Sequence, residues 1–277
     1  MRNDINAETA VLPYAKSPSA GARSASAVSP DVELLVRYRS YFRASLVESP
    51  TQLKMALALR YRVYCLERQF KDATQFPDGL ESDELDNQSV QGLLMDRRSN
   101  EAIGTARLIL PGREKLPIHS VLWRQGGTPT LHFPGDKSAE VSRFALSRQF
   151  LRHTRKVPSC AESQSSSHGG LPRLGLVQVL LQMTIDQGVT HWAAMMQPSL
   201  LRMLAAMGIH FTPIGSLVAY HGMRQPCVCD VAQMLGRLLL EKPDNWQVVT
   251  DGGRLSLADG QVRESRTPRR SGAGYQI

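Results

Sequence analysis

Two arginines lie inside apolar segments of this chain, and they limit the folds that it can adopt. Arg60 falls on the apolar face of a helix that Ser49-Pro50-Thr51-Gln52 opens, because these residues provide a cap, a first-turn proline and a capping box. Arg107 falls in residues 103–110, a strand-like run that is apolar on both faces. An isolated buried charge costs several kcal/mol, so each guanidinium must meet a carboxylate.

The acidic residues that can meet these arginines are clustered. Residues 78–86 contain carboxylates and no basic residue, and the carboxylates are Asp78, Glu81, Asp83, Glu84 and Asp86. Residues 143–173 have the opposite balance, with Glu162 as their single acidic residue. Their basic residues are Arg143, Arg148, Arg152, Arg155, Lys156 and Arg173. One acidic and one basic cluster predict a site that meets two differently charged ligands.

Hydrophobic periodicity predicts a mixed α/β domain with a partly parallel sheet. After the first helix we expect strands at 92–96, 102–110 and 139–146, a helix at 172–187, a strand at 190–196, a helix from Pro198 to before Gly208, a strand at 217–221 and a helix at 231–240. Strict alternation would put Glu140 and Arg143 on opposite faces of their strand. A β-bulge between them would bring both to one face.

Composition indicates how the chain is organised. No apolar run approaches the roughly 20 residues of a membrane span, and residues 1–30 lack the apolar centre of a secretory signal. We expect a flexible leader at 1–30, a folded domain at 31–250 and a disordered tail at 251–277. The four cysteines predict no disulfide framework and no metal site, and they are compatible with a cytoplasmic protein. The net charge of +8 is unevenly distributed, which favours local docking over nucleic-acid binding.

Five elements, in order over about residues 50–150, resemble the signature of acyl-homoserine-lactone synthases. They are Leu59-Arg60-Tyr61-Arg62-Val63-Tyr64, Phe70, Glu81-Ser82-Asp83-Glu84-Leu85-Asp86, Arg107 and Glu140-Val141-Ser142-Arg143-Phe144. A closer likeness, over about residues 45–250, is to the exosortase (PEP-CTERM) system-associated acyltransferases, whose characterised neighbours are long-chain N-acyl amino acid synthases. It is carried by Tyr61-Arg62-Val63-Tyr64-Cys65-Leu66-Glu67, Phe76-Pro77-Asp78-Gly79-Leu80-Glu81, Thr190-His191-Trp192 and residues 211–227.

The resemblance implies a GNAT-like (acyl-CoA N-acyltransferase) fold, in which helices flank a mixed central sheet. It implies an N-acyltransferase whose donor is acyl-phosphopantetheine on acyl carrier protein, or acyl-CoA, with no permanently bound cofactor. The acceptor is an amine, expected to be an amino acid, and the product is an N-acyl amino acid. Tyr64 and Phe70 stand where the lactone synthases usually carry Phe and Trp around S-adenosylmethionine, which disfavours that acceptor.

The resemblance also implies roles for single residues. Glu81 is expected to take the amine proton directly or through water, and backbone N–H groups at Ser142, Arg143 and Phe144 are expected to stabilise the oxyanion. The predicted substrate-binding residues are Arg60, Tyr64, Phe70, Asp83, Asp86, Arg107 and Glu140. The predicted carrier-protein docking residues are Arg148, Arg152, Arg155 and Lys156.

Simpler interpretations stay open at this point. The charged residues can form a buried ion-pair network that only shapes a cleft, Tyr64 and Phe70 can be core residues, and the basic run can be a solvated face. His221 fits a hydrogen-bonded histidine better than a base. The alternative functions are an acyl-homoserine-lactone synthase that uses S-adenosylmethionine and a basic binding or scaffold protein that has the fold without activity.

Overall fold

A mixed eight-stranded sheet forms the centre of the computed structural model, which describes residues 30–112, 115–126, 134–150, 170–220 and 222–257. The strands are β1 Phe42–Leu46, β2 Ser89–Asp96, β3 Ala102–Ile109, β4 Ser138–Leu146, β5 His191–Met196, β6 Thr212–Pro213, β7 Val218–Ala219 and β8 Met223–Asp230. The helices are α1 Pro30–Tyr41, α2 Pro50–Tyr61, α3 Pro117–Arg124, α4 Leu171–Gln187, α5 Pro198–Ala206, α6 Val231–Glu241 and α7 Pro243–Val249, and a π-helix, Arg62–Glu67, continues α2. The strand order is β1-β2-β3-β4-β5-β8-β6, and β7 pairs with β8 outside this series.

The parallel pair of the sheet, β4 and β5, is hydrogen-bonded over only part of its length. Residues 138–141 pair with residues 191–194, and the ladder ends there although both strands continue. A β-bulge begins in β4 at the same point, because Ser142 pairs with Arg107 while Ala145 pairs with Thr105 of β3. The peptide groups between Ser142 and Ala145 therefore lie off the ladder on both sides.

Helices cover both faces of the sheet. The main core lies on the face of α1, α4, α6 and α7, where buried Trp192 donates its indole N–H to Thr184 Oγ1 at 2.7 Å. On the other face α2 and α3 form smaller apolar clusters, in which Ala56 of α2 packs with Leu93 of β2. Gln91 lies two residues before Leu93 and shares this second face. The charged side chains predicted from the sequence gather here.

Gly92 lets α4 lie close against β2. A Cβ at this position would lie 2.2 Å from Cγ1 of Val179 and 3.3 Å from the carbonyl oxygen of Ser45. We expect Gly92→Ala to lower the free energy of unfolding by about 1–3 kcal/mol, because the added methyl group forces the helix away from the sheet. Gly236→Ala in α6 is the control, since nothing lies within 4 Å of its added Cβ. This control should stabilise the helix by about 0.5–1 kcal/mol. Urea unfolding measures both, and an unchanged midpoint for Gly92→Ala would contradict the close packing.

The described elements differ from the sequence prediction in a few places. The strand expected at 217–221 is reduced to β7, and the longer strand β8 was not predicted because Pro226 lies within it and proline is typical of turns and sheet edges. The carbonyl oxygen of Pro226 accepts the Ile214 N–H at 3.0 Å, which joins β8 to the segment around β6. The sequence prediction also lacked α1, β1, α3 and α7.

The folded body extends beyond residue 251, where the tail was predicted to begin. Asp251 accepts a hydrogen bond from Arg39 Nε at 2.8 Å, and both Leu255 and Leu257 pack against the main core. Residues 258–277 of the predicted tail and residues 1–29 of the predicted leader lie outside the described residues. Among the helices that are described, none combines the length and the apolar character that crossing a membrane requires.

Candidate functional site

Arg60 is completely buried and meets two carboxylates. From the last turn of α2, its Nε donates to Glu81 Oε2 at 2.5 Å. Its Nη1 and Nη2 donate to the two oxygens of Asp86 at 2.7 and 3.1 Å. The side-chain oxygen of Gln91 lies 3.4 Å from Nη1. The prediction that the acidic cluster neutralises Arg60 is confirmed.

Arg107 of β3 is buried against the same acidic segment. Its Nη1 donates to Asp83 Oδ1 at 2.5 Å and to Asp86 Oδ1 at 2.7 Å, and its Nε donates to Ser142 Oγ at 2.9 Å. Asp83 and Asp86 are fixed by a reciprocal capping box at the start of the short 3-10 helix Glu84–Gln88. Both carboxylates are therefore held in place by the backbone while they bind the arginines.

Glu81 is fully buried and is held by three cations. Besides Arg60, Lys71 Nζ lies 2.6 Å from Oε1 and Arg143 Nη2 lies 2.8 Å from the same oxygen. Burial alone would raise the pKa of Glu81, but the hydrogen bonds and charges of Arg143 and Arg60 outweigh it and hold the pKa far below its usual range. Glu81 is therefore ionised at neutral pH and is a weak base.

The bulge in β4 turns Arg143 toward the second face of the sheet. Arg143 has φ 48°, in the left-handed region, and its Nη2 donates to Asp83 Oδ2 at 2.7 Å. Arg107 contacts the same aspartate, and it also binds Ser142. Ser142 and Arg143, although adjacent in β4, therefore lie on one face with Glu140, as the predicted bulge requires.

An aromatic pair, Tyr64 and Phe70, continues outward from Arg143. The Tyr64 ring centroid lies 5.5 Å from the guanidinium carbon of Arg143, at the distance of a cation–π contact. The Phe70 ring lies 6.5 Å from the Tyr64 ring and is 43% exposed. Tyr64 lies in the π-helix that follows α2, and the Phe70 N–H donates to the Tyr64 carbonyl at 2.8 Å. The aromatic pair therefore extends from the buried charges to the surface.

Glu140 differs from the other carboxylates of the site. It is 4% exposed, its Oε2 accepts the Ile118 N–H of α3 at 2.8 Å, and within the described ranges it forms no ion pair. Burial raises the pKa of Glu140 to about 7, against smaller opposing effects of the Ile118 N–H and the charge of Arg107. Glu140 therefore changes its charge near neutral pH, directly before the point where the β4–β5 ladder ends.

These contacts define a charged network on the second face of the sheet. Its members are Arg60, Lys71, Glu81, Asp83, Asp86, Arg107 and Arg143, and Glu140 lies beside it within the electrostatic influence of Arg107. Two contacting residues, Lys71 and Gln91, were missed by the sequence analysis. Gln91 could have been found, since it is a polar residue in an apolar strand and pairs directly with Arg107. Lys71 lies in a loop and has no periodic signal.

The remaining predicted site residues lie outside the charged network. The Phe144 ring packs against the main core, so only its backbone belongs to the bulge. Arg148 follows β4 and is exposed, and its backbone N–H donates to Glu67 Oε2 at 2.7 Å. The predictions for Arg152, Arg155, Lys156 and His221 fall on residues outside the described ranges.

Comparisons with known proteins agree with this architecture. Residues 59–157 match the acetyltransferase (GNAT) domain family. The structure of a CoA-dependent acyl-homoserine lactone synthase, BjaI, with MTA is similar, with a TM-score of 0.52 and 19% identity over 78% of this chain and 92% of that chain. The structure of TofI in a ternary complex with an inhibitor and MTA is similar, with a TM-score of 0.50 and 21% identity over 71% of this chain and 96% of that chain.

A third solved structure is FeeM, an N-acyl amino acid synthase from uncultured soil microbes. It gives a TM-score of 0.47 and 19% identity over 72% of this chain and 95% of that chain. A sequence search of curated proteins found no match. The predicted α/β GNAT-like fold, with a mixed sheet flanked by helices, is confirmed. The broader prediction of an acyltransferase enzyme is confirmed with it.

Proposed function

We propose that this protein transfers a fatty acyl group from a thioester on acyl carrier protein to the amine of an amino acid. The observation that carries the proposal is Glu140, a buried carboxylate that forms no ion pair with any described residue and lies beside the gap that the β4 bulge opens next to β5. Acyl-CoA carries the same thioester and is the alternative donor. The substrates meet in this proposal where the two strands part, with the charged network on one side.

Glu140 is the group that we assign to proton removal. A general base works best when its pKa lies near the working pH, and burial raises the pKa of Glu140 to about 7. Glu81, the base predicted from the sequence, is held by three cations and has its pKa far below the usual range. We therefore reassign Glu81 to positioning Arg60, Lys71 and Arg143.

The bulge supplies the second requirement of acyl transfer. The amine lone pair attacks the thioester carbonyl carbon, the C–N bond forms, and the negative charge moves to the carbonyl oxygen. Backbone N–H groups of Arg143 and Phe144, which lie off the sheet ladder, are the donors that we assign to this oxyanion. The C–S bond then breaks, and the proton that Glu140 removed from the amine passes to the departing thiolate.

The acceptor is placed at the aromatic pair. Tyr64 lies over Arg143, and Phe70 continues from it to the surface, so an acceptor has a path from solvent to the charged network. An amino acid offers a carboxylate to the arginines and an amine to Glu140. The likeness to the exosortase-associated group, on the residues quoted from the sequence, supports a long-chain N-acyl amino acid as the product of a cytoplasmic enzyme.

An incubation panel tests the proposed function. Purified protein is mixed with one acyl donor, which is either acyl carrier protein loaded with a long-chain acyl group or long-chain acyl-CoA. Each donor is combined with a single amino acid or with S-adenosylmethionine, and the products are identified by mass spectrometry. We expect N-acyl amino acids, and no lactone from S-adenosylmethionine, because the aromatic pair differs from that of the lactone synthases. Lactone formation would favour the alternative synthase. If the folded protein formed no N-acyl product with any combination of acyl donor and amino acid, the result would contradict acyl transfer to amino acids.

A further inference from the structure

A concave site lies at the β1 edge of the sheet, where Tyr38 and Phe42 belong to the core on the face opposite the charged network. It is a pocket of about 220 Å³ between α1, the start of β1, α4 and the residues that follow α7. We call it the arginine pocket. Its lining residues are Tyr38, Arg39, Phe42, Arg43, Ala44, Arg97, Gln178, Gln182, Asp251 and Arg254. The acyl-transfer chemistry proposed above uses none of them.

The arginine pocket carries an excess of positive charge. Four of its lining residues are arginines and one is an aspartate, which gives 4 − 1 = +3. Asp251 already binds Arg39 and Arg254. Arg43 and Arg97 are exposed and have no carboxylate partner in the part of the chain that the structure describes. The pocket therefore keeps the Arg97 guanidinium for an external anion, and Arg43 of the edge strand β1 adds a second charge without a carboxylate partner in the described part of the chain.

Neighbouring groups hold the pocket in shape. Arg97 Nε donates to the Phe42 carbonyl oxygen at 3.0 Å, which leaves its terminal nitrogens for a ligand. Tyr38 is 1% exposed and donates to Gln178 Oε1 at 2.7 Å. Burial holds the pKa of Tyr38 well above its usual value, so its hydroxyl is neutral and does not offset the positive charge. The site is a fixed frame with free cationic groups at its rim.

The arginine pocket lies at the same end of the sheet as the opening between β4 and β5. Phe42 pairs with Asp96, directly before Arg97, and the adjoining end of β3 pairs with Leu146 at the end of β4. Three strand spacings separate β1 from β4, a distance of about 14 Å. Moreover, the Phe42 ring contacts the Phe150 ring at a centroid distance of 6.2 Å. The segment that follows β4 and bears Arg148 therefore passes beside the pocket.

We infer that the arginine pocket docks acidic side chains of the carrier protein that presents the acyl donor. The inference rests on the proposed function, and it extends the docking surface predicted from the sequence at Arg148 along the end of the sheet to β1. A carrier protein seated over the β4–β5 opening spans the 14 Å or so to the pocket, because a small domain is about 30 Å across. Clusters of opposite charge at such a rim raise the rate of association and fix the orientation of the partner.

Charge reversal at the free arginines tests the docking. The variant is R43E/R97E, and the matched control is K54E/R202E, which makes the same change in net charge at exposed residues of α2 and α5. The affinity of the enzyme for acyl carrier protein loaded with a long-chain acyl group is measured by fluorescence anisotropy. Transfer rates are measured with this carrier-bound donor and with acyl-CoA. We expect R43E/R97E to weaken carrier binding and raise the KM for the carrier-bound donor by about ten-fold. The rates with acyl-CoA, and every value for the control, should stay within about two-fold of wild type.

Each outcome decides for or against the inference. Carrier binding that is as tight in R43E/R97E as in the wild type overturns it, as does equal weakening in the control or an absence of carrier binding in the wild type. R43E alone guards against a folding defect, since the Arg43 side chain makes no hydrogen bond to any described residue, and it should show the same direction of change. Pocket binding of inorganic pyrophosphate without any effect on carrier affinity would assign the site to a small anion and reject the carrier. The wild type could bind the carrier through these arginines and yet transfer no acyl group from either donor. That result would contradict the proposed function and leave the docking inference standing.

Discussion

Replacing Glu140 by glutamine is expected to lower kcat/KM for N-acyl transfer by about 100-fold or more while the protein remains folded. Glutamine keeps an oxygen that can accept the Ile118 N–H, now bonded to Glu140 Oε2 at 2.8 Å, but it cannot take a proton from the amine. Mass-spectrometric initial rates measure the loss. Glu84→Gln is the matched control, because Glu84 is exposed and lies outside the charged network, and its rate should equal that of the wild type.

The pH dependence gives Glu140 a separate signature. Its carboxylate must be ionised to act as a base, and burial raises its pKa to about 7, so kcat/KM of the wild type should rise with pH through about 7. The variant should lack this limb. A Glu140→Gln enzyme that keeps more than about a tenth of the wild-type kcat/KM, with the limb near pH 7 intact, would reject Glu140 as the base.

The same substitution should stabilise the fold above neutral pH. The folded pKa of Glu140 is raised from 4.5 to about 7, so between these values the unfolded chain releases the proton that the folded protein retains. Wild-type stability from this group is thus full below pH 4.5 and is lost as the pH rises to about 7, by about 3 kcal/mol in total. Glutamine does not ionise, so the variant should unfold at a higher urea concentration than the wild type at pH 8.

Replacing Arg60 by methionine is expected to cause the largest loss of stability, about 3–5 kcal/mol. Methionine fills a similar space, but it leaves Glu81 and Asp86 without the guanidinium that now binds them at 2.5 and 2.7 Å. Arg60 and Glu81 are completely buried and the Asp86 side chain is 16% exposed, so the carboxylate oxygens that lose these hydrogen bonds have little solvent to replace them. Urea unfolding at pH 7 measures the change in the free energy of unfolding.

A surface ion pair provides the contrast. Arg237 binds Glu241 with a side chain that is 55% exposed, and Arg237→Met should cost less than about 1 kcal/mol. The free energy of unfolding at low pH tests the same ion pair, since Arg60 helps to hold the pKa of Glu81 below its usual range. The stability that comes from this lowered pKa is present at neutral pH and is lost as the pH falls. The free energy of unfolding should therefore drop less on acidification in Arg60→Met than in the wild type. Equal costs for Arg60→Met and Arg237→Met would contradict a buried network that supports the fold.

Much of the candidate site could be predicted from the sequence because charge and burial conflict so strongly there. Arg60 and Arg107 stand in apolar segments, and the acidic residues 78–86 were the nearest groups able to neutralise them. Strict alternation would separate Glu140 and Arg143, and a bulge between them was the way for both side chains to share one face. In each case one physical requirement left few solutions, and the contacts of both arginines agree with it.

Local sequence was less informative where an element depends on its neighbours. Strand β1 follows α1 without a glycine, proline or asparagine between them, and α3 and α7 are only eight and seven residues long. Such segments have weak intrinsic preferences and are stabilised by packing against the sheet. Lys71 reaches Glu81 from a loop, a contact that no spacing rule foretells.

The sequence by itself determined which side chains had to be paired, because a buried charge requires a partner wherever the chain places it. Only the tertiary structure decided how the carboxylates differ. Glu81 and Glu140 are both buried, but Arg60, Lys71 and Arg143 surround Glu81, while among the described residues the Glu140 carboxylate accepts the backbone N–H of Ile118 and meets no cation in an ion pair. Those surroundings come from strands and helices that are distant in the chain. Because they lower one pKa and raise the other, they leave Glu140 as the carboxylate that can exchange a proton near neutral pH.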